Sequence, residues 1–293
     1  MRVFVTGATG LIGSAVVAEL LAHDHTVLGL ARSESSVAKL TAAGAEPIRG
    51  ALADLDAIRA GAAGADGVIH LAFANDFSSA EALADAIAEE SAAITALGEE
   101  LIGSGRPMVI CSGTPAIPGR LATEADQLPT AGPVAGRGRT VTATLGLASR
   151  GVRTSAVRLP RTVHSNGTGG FAGILTNIAR ASGVSGYPGD GSQRWPAVHA
   201  ADAASLFRLA LESAEAGSSW HAVDDEGDAV RDIAAVIGRR LSLPVRPLPV
   251  ESFGPLGPIF AADQPASSAH TRQTLGWQPE HPSLLDDLEQ IEP

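Results

Sequence analysis

Across 293 residues the chain has one cysteine, one tyrosine and one lysine, and aromatic side chains make up 4% of it. A lone thiol, Cys111, excludes an intrachain disulfide and fits a reducing compartment, so a cytoplasmic location is expected. With 45% apolar residues and so few rings, the core is expected to be aliphatic and alanine-rich, which suits helices packed closely on a sheet. No apolar run approaches the ~20 residues that span a bilayer. The N-terminus enters a strand pattern directly, without the basic, apolar and cleavage segments of a secretory leader. A net charge of −11 argues against nucleic acid or an anionic membrane as partner. Because Tyr187 and Lys39 are the sole residues of their types, no Tyr-x-x-x-Lys pair can exist in this chain.

What is present is an alternation of strand and helix signals. Residues 2–6 read as a buried strand, and IGSAVVAELLAH follows as a helix. HTVLGLA is a strand, and SSVAKLTAAG is a helix stopped by Gly44. EPIRG, a short helix near Leu55–Ala60, DGVIHLAF, a long helix from about Ser79 to Ser104, and PMVICSG continue the rhythm. A further helix to about Ser149 leads into the strand GVRTSAVRL. This is the pattern of a parallel sheet covered on both faces. Beyond Arg161 glycine and proline become dense and helices are irregularly spaced (Phe171–Ser182, Ala201–Ser213, Val230–Leu241, Ser283–Gln290). The expected organisation is a doubly wound α/β domain over residues 1–162, rejoined by about 195–225, with a smaller lobe over 163–293. PVRPLPVESFGPLGP reads as a lobe loop.

The stretch VFVTGATGLIGSAVV sets Gly7, Gly10 and Gly13 between a strand and a helix. The first glycine permits a sharp turn, the second lets backbone approach a pyrophosphate, and the third lets the helix pack on the strand. Thr9, Leu11 and Ile12 complete a loop whose helix N-terminus offers N–H groups to phosphate. At the end of the second strand an NAD-binding chain carries an acid on the ribose. Here Ala31 takes that place, followed by Arg32, Ser33, Ser35 and Ser36. A guanidinium with flanking hydroxyls favours a 2′-phosphate, so NADP is expected over NAD.

These motifs, with VIHLAF, CSGTPAIPG, VRLPRTVH and GYPGDGSQRWPAVHAADAASLF, resemble the extended short-chain dehydrogenase/reductase family, the NAD-dependent epimerase/dehydratase group, over nearly the full chain. The resemblance implies a Rossmann domain, a substrate lobe, bound NAD(P) and hydride chemistry at a carbinol or carbonyl carbon. It implies further cofactor contacts from Ala51 and Leu52, from Leu71, Ala72 and Phe73, and from Ser112, Arg137 and Pro160. The family's catalytic Ser/Thr falls on Thr114, with Ser112 as the neighbouring alternative. Its Tyr and Lys places fall on Pro133 and Arg137, or on Arg139 for the second if the register slips.

Arg137 can keep the ribose-binding task of the lysine but cannot shuttle protons, since its pKa exceeds 12. A proton donor must then come from elsewhere. His164 is the first candidate for it, against a hinge histidine bonded to backbone. His199 reads as a lobe-stabilising residue near Asp202, and Tyr187 as a loop residue packed on Pro188. Arg194 matches a family position that holds a nucleotide-sugar phosphate, though the adjacent Trp195 leaves an apolar substrate equally open. Cys111 and His70 read as strand residues, while DAIAEES and DDLEQIE read as solvated helix faces. No metal is expected, since His23 and His25 have no further ligands at suitable spacing.

The function expected is an NADP-dependent oxidoreductase acting on a carbonyl or alcohol of a small-to-medium substrate. Epimerisation or dehydration without net redox is one alternative, and a non-catalytic NADP-binding sensor is the other. The partner is a small molecule, and a homodimer is allowed.

Overall fold

A computed structural model describes residues 1–74, 79–129, 131–132 and 134–292. The chain runs β1 (Arg2–Thr6), α1 (Leu11–Ala22), β2 (Thr26–Ala31), α2 (Glu34–Ala43), β3 (Glu46–Arg49), α3 (Leu55–Ala63), β4 (Gly67–His70), α4 (Ala80–Leu101), β5 (Pro107–Gly113) and α5 (Ala135–Gly146). It continues through β6 (Arg153–Leu159), β7 (Thr162–His164), α6 (Gly170–Ser182), β8 (Ser185–Pro188), β9 (Arg194–His199), α7 (Ala200–Ser213) and β10 (Ser218–His221). Last come β11 (Asp225–Ala229), α8 (Val230–Leu241), β12 (Val245–Leu248), α9 (Gly257–Phe260), α10 (Ala269–Leu275) and α11 (Leu284–Leu288).

One compact unit comprises Met1–Ser112, Gln127–Arg158 and Ala204–Trp220. Its seven-stranded sheet has the order β10-β6-β5-β4-β1-β2-β3. β1 pairs in parallel with β2 and β4, and the parallel pairing continues from β2 to β3 and from β4 to β5. Strand order therefore reverses at β1, which in open α/β sheets places the ligand crevice at the C-terminal ends of β1 and its neighbours. Helices start where the sequence supplies a cap: the Ser33, Asp54 and Ser79 side chains accept the N–H groups of Ser36, Ala57 and Ala82. Gly44 ends α2 in the left-handed conformation, as expected. The core is aliphatic, built on Ile58, Val68, Leu97 and Ile110 with Phe4 among them.

The other unit comprises Gly113–Asp126, Leu159–Ala203 and His221–Pro293. It holds a three-stranded sheet, β11-β9-β7, and a parallel pair, β12-β8. Its core carries more rings. Trp195 packs edge-on to Phe260 at 4.9 Å between ring centroids, with Phe171 and Phe253 around them. Around these the core is aliphatic and alanine-rich as expected, with Ala172, Ala179, Ala197, Ala234, Leu175 and Ile233.

Two boundaries differ from expectation. Residues 113–126 belong to the second unit, because Ala122 bridges Ala266 and the Glu124 carboxylate accepts the Thr271 N–H and hydroxyl. Residues 195–203 also stay there, since β9 pairs with β7 and β11. The proline-rich segment is not a plain loop. It supplies β12, a 3-10 turn at Val250–Leu256 and α9.

Candidate cofactor and active site

The glycine loop joins β1 to α1. Gly7 has φ +69°, and a Cβ there would lie 2.8 Å from the Ala72 nitrogen. A Cβ on Gly13 would meet the Gly7 oxygen at 2.0 Å, so the helix can approach the strand only without one. Above Gly10, by contrast, the nearest atom to an added Cβ is the Gly7 oxygen at 3.5 Å, leaving the backbone open for a ligand. No side chain caps the start of α1. Its first N–H groups therefore remain available to an anion, with the helix dipole behind them.

This loop opens on a cleft of about 520 Å³ within the first unit. Gly7 and Thr9 to Gly13 form one side, Arg32 a second, and Ala51, Leu52 and Leu71 to Phe73 the rest, as the sequence implied. Of the hydroxyls read beside Arg32, Ser36 lines the cleft, and the structure adds Leu30, Gly50, Ala74 and Glu89. Ser33 is not in the lining: its hydroxyl accepts the Ser36 N–H at 3.2 Å and contacts the Ser36 hydroxyl at 3.0 Å, capping α2. Ser112, buried at the end of the first unit, and Pro160, buried in the second, do not line this cleft either.

The floor of the cleft is fixed by a contact that sequence reading missed. The Thr6 hydroxyl accepts the Leu71 and Ala72 N–H groups, at 3.2 and 3.3 Å, and lies 2.9 Å from His70 Nδ1. These contacts tie the ends of β1 and β4 together. Burial, with the Arg137 charge second, pushes the His70 pKa down to about 3, so this histidine is neutral. Cys111 is pushed up to about 11, chiefly by burial, and is not a thiolate nucleophile at neutral pH.

Arg137 lies in the first turn of α5. Its Nε and Nη2 donate to the two Glu90 carboxylate oxygens at 2.8 and 2.7 Å, and its guanidinium lies 4.2 Å from the Phe73 ring centroid. Phe73 is itself part of the cleft wall. Glu90 corrects the expectation that DAIAEES is a solvated face: it is 3% exposed and shares the inner face of α4 with Ala86, Ala93, Ile94 and Leu97. Burial raises the Glu90 pKa and the Arg137 contact opposes that rise. Nη1 of Arg137 has no partner among the described residues. Pro133, the position of the family tyrosine, lies outside the described residues. Arg139 lies along a different groove, between α4 and α5.

The other candidates belong to the second unit. Thr114 is buried, and its N–H donates to the Leu159 carbonyl at 2.9 Å. His164 is not placed as a solvent-reached proton donor. It is fully buried, with Nδ1 3.0 Å from Asp287 Oδ2, and the same oxygen accepts the Gly167 N–H at 3.0 Å. The geometry describes an anchor of α11, with a carboxylate rather than backbone as partner. Asp287 thereby corrects the reading of DDLEQIE as a solvated face, since it is 1% exposed. His199 Nδ1 accepts the Ala201 N–H, and its ring stacks on His281 at 4.7 Å and 5°. His281 Nδ1 in turn contacts Asp202 Oδ1 at 2.8 Å.

These three residues, His199, Asp202 and His281, are the histidine–acid group among the described residues close enough to share a metal. Parallel stacked rings cannot both aim lone pairs at one ion, and His199 Nδ1 is committed to a backbone N–H. The group is a lobe-stabilising network. Tyr187 lies on strand β8 rather than in a loop. Arg194 is held by Asp263 through Nε at 3.1 Å and Nη2 at 2.8 Å.

Fold and cleft together define a dinucleotide-binding α/β protein. The description "NAD dependent epimerase/dehydratase family" matches residues 3–223, and the chain belongs to that family. An uncharacterized protein of Schizosaccharomyces pombe is 46% identical over 294 residues, 98% of each chain. A Stigmatella aurantiaca ketoreductase of a farnesylated dihydroquinoline oxide is 40% identical over 72 residues, 25% of this chain and 22% of that one. Among solved structures, a UDP-glucose 4-epimerase of Thermotoga maritima with UDP-glucose superposes with a TM-score of 0.81 at 20% identity. That likeness covers 99% of this chain and 97% of the other and speaks to the fold. Among the described residues no helix is long and apolar enough to cross a membrane.

Proposed function

We propose that the protein is an NADP-dependent oxidoreductase that reduces a carbonyl group of a small-to-medium organic substrate. The observation that carries this reading is the cleft: open backbone at Gly10, an uncapped α1, and Ala31, followed by Arg32, where an NAD-binding chain would carry an acid. The N–H groups at the start of α1 would hold the pyrophosphate, and Arg32 with Ser36 the ribose phosphate. When bound, the reduced dinucleotide supplies a hydride to the carbonyl carbon. Phe73, in the cleft wall, is covered by the Glu90-held Arg137 guanidinium, whose Nη1 would be left to meet a ribose hydroxyl. Arg137 takes no part in proton transfer, because its contact with Glu90 raises an already high pKa against burial.

Thr114, the position of the family's catalytic Ser/Thr, would donate a hydrogen bond to the substrate oxygen, which would take its proton from water. Forgoing a positioned acid costs about 10²–10⁴-fold in rate, a loss that cofactor positioning alone can offset. The Stigmatella ketoreductase segment supports the redox direction. The lack of any Tyr-x-x-x-Lys pair favours one second reading, an NADP-binding sensor without turnover.

The test is to follow oxidation of NADPH against a panel of aldehydes and ketones, in wild type and in Arg32→Ala. Consumption that slows at low NADPH in Arg32→Ala is expected. NADPH bound tightly but consumed with no member of the panel would favour the sensor instead.

A further inference from the structure

Two arginines and one glutamate crowd the ends of β2 and β3. Ala31 and Arg49 are paired in register, and the Gly50 N–H donates to the Ala31 carbonyl at 3.1 Å. Arg32 follows Ala31 and lines the cleft together with Ser36 and Gly50. Two residues on from Arg32 is Glu34, the first residue of α2, whose two carboxylate oxygens accept from the two terminal nitrogens of Arg49 (Nη2 to Oε2 2.9 Å). Both side chains are exposed, and neither is needed to fill the core. The contact holds the Glu34 carboxyl below its ordinary range.

A carboxylate at a helix start is favoured by the dipole, so Glu34 is ionised whether or not a cofactor is present. Left uncompensated, it would repel a phosphate brought to the same strand end and cancel the advantage of Arg32. The Arg49 fork removes that charge. Resting on the cofactor reading above, we propose that Arg49 is a specificity-determining residue. By neutralising Glu34 it lets Arg32 and the hydroxyls at the start of α2 accept a ribose 2′-phosphate, without itself touching the cofactor.

The probes are two adenosine fragments, adenosine 2′,5′-bisphosphate and adenosine 5′-monophosphate, alongside NADPH and NADH. Calorimetric titration is run on wild type, Arg49→Gln, Glu34→Gln and the double variant. Arg49→Gln should weaken the bisphosphate and NADPH about 5- to 10-fold, the effect of one unit charge near a phosphate at low salt. It should leave the monophosphate and NADH within about twofold. Glu34→Gln should bind the bisphosphate at least as well as wild type, and the double variant should recover wild-type affinity, since neither charge remains.

Equal losses for both fragments, no loss, or a double variant as weak as Arg49→Gln would each overturn the proposal. These outcomes are separable from failure of the cofactor reading. A wild type that binds NADH as tightly as NADPH sinks the preference, whereas the Arg49 effect is read as a difference between variants.

Discussion

The two units bury their charges for different ends. In the first, Glu90 grips Arg137 beside a cleft wall, and the guanidinium keeps one nitrogen unspent. In the second, Asp287 grips His164 and the Gly167 N–H, and the pair only fastens α11 to β7. A pair that leaves a donor uncommitted behind a cleft wall can serve a ligand. One that is sealed on all sides serves the fold. The cores differ in one respect: the first unit's is aliphatic around Phe4, while the second unit's sets Trp195, Phe171, Phe253 and Phe260 among its aliphatic residues.

Removing Glu90 should erase this contrast most severely. Glu90→Ala leaves the Arg137 cation without its carboxylate partner; losing one partner of a fully buried pair costs about 3–5 kcal/mol, and with Arg137 27% exposed the loss should fall below that range. Thermal unfolding should show the loss, and Glu90→Gln, which retains an acceptor, should recover part of it. Next is Gly13→Ala. Its Cβ forces the Gly7 carbonyl outward, and overpacking of this kind costs about 1–3 kcal/mol. NADPH affinity should fall about 10- to 100-fold by titration, while the second unit's unfolding is unmoved.

Thr114→Val approaches the same division from the second unit. Loss of one hydrogen bond to the reacting oxygen should cut turnover about 10-fold with NADPH affinity unchanged. A drop seen only in Ser112→Ala would move the assignment to that residue.

The smallest effect concerns Asp228, whose pKa is raised to about 6 by burial and by the nearby Asp225, Asp232 and Asp286 charges. The folded protein then holds this proton more tightly than the unfolded chain. Stability therefore falls as pH rises from about 4 to about 6 and stays lowered above. Asp228→Asn should flatten that slope and stabilise the neutral protein by about 1 kcal/mol once solvent screening is allowed for.

Legibility in the sequence divides along the same line. β1, β2, β4 and β5 are readable because each is a short apolar run between local stops and caps, and β3 (EPIR) because it fills the place between two helices in that rhythm. β7, β9 and β11 are not, because three brief strands gain meaning only from partners far along the chain, such as Trp195 opposite Asp228. At the site, the glycine loop announces the cleft, while the acids that hold Arg137 and His164 read as parts of solvated faces. A signal for both is present: Glu90 falls in register with Ala86, Ala93 and Leu97, and Asp287 with Leu284, Leu288 and Ile291. An acid at an apolar helical position asks for a buried cation or imidazole, and the partner lies 47 residues away for Glu90 and 123 for Asp287.

Hydride transfer without a tyrosine–lysine pair is put to its hardest trial by supplying NADPH that carries deuterium at the transferring carbon and analysing the product by mass spectrometry. One deuterium on the new carbinol carbon and one oxidised cofactor per alcohol formed are expected, with the same result in His164→Gln. Product formed with no cofactor oxidised, and deuterium absent from it or returned to the cofactor, would contradict net reduction.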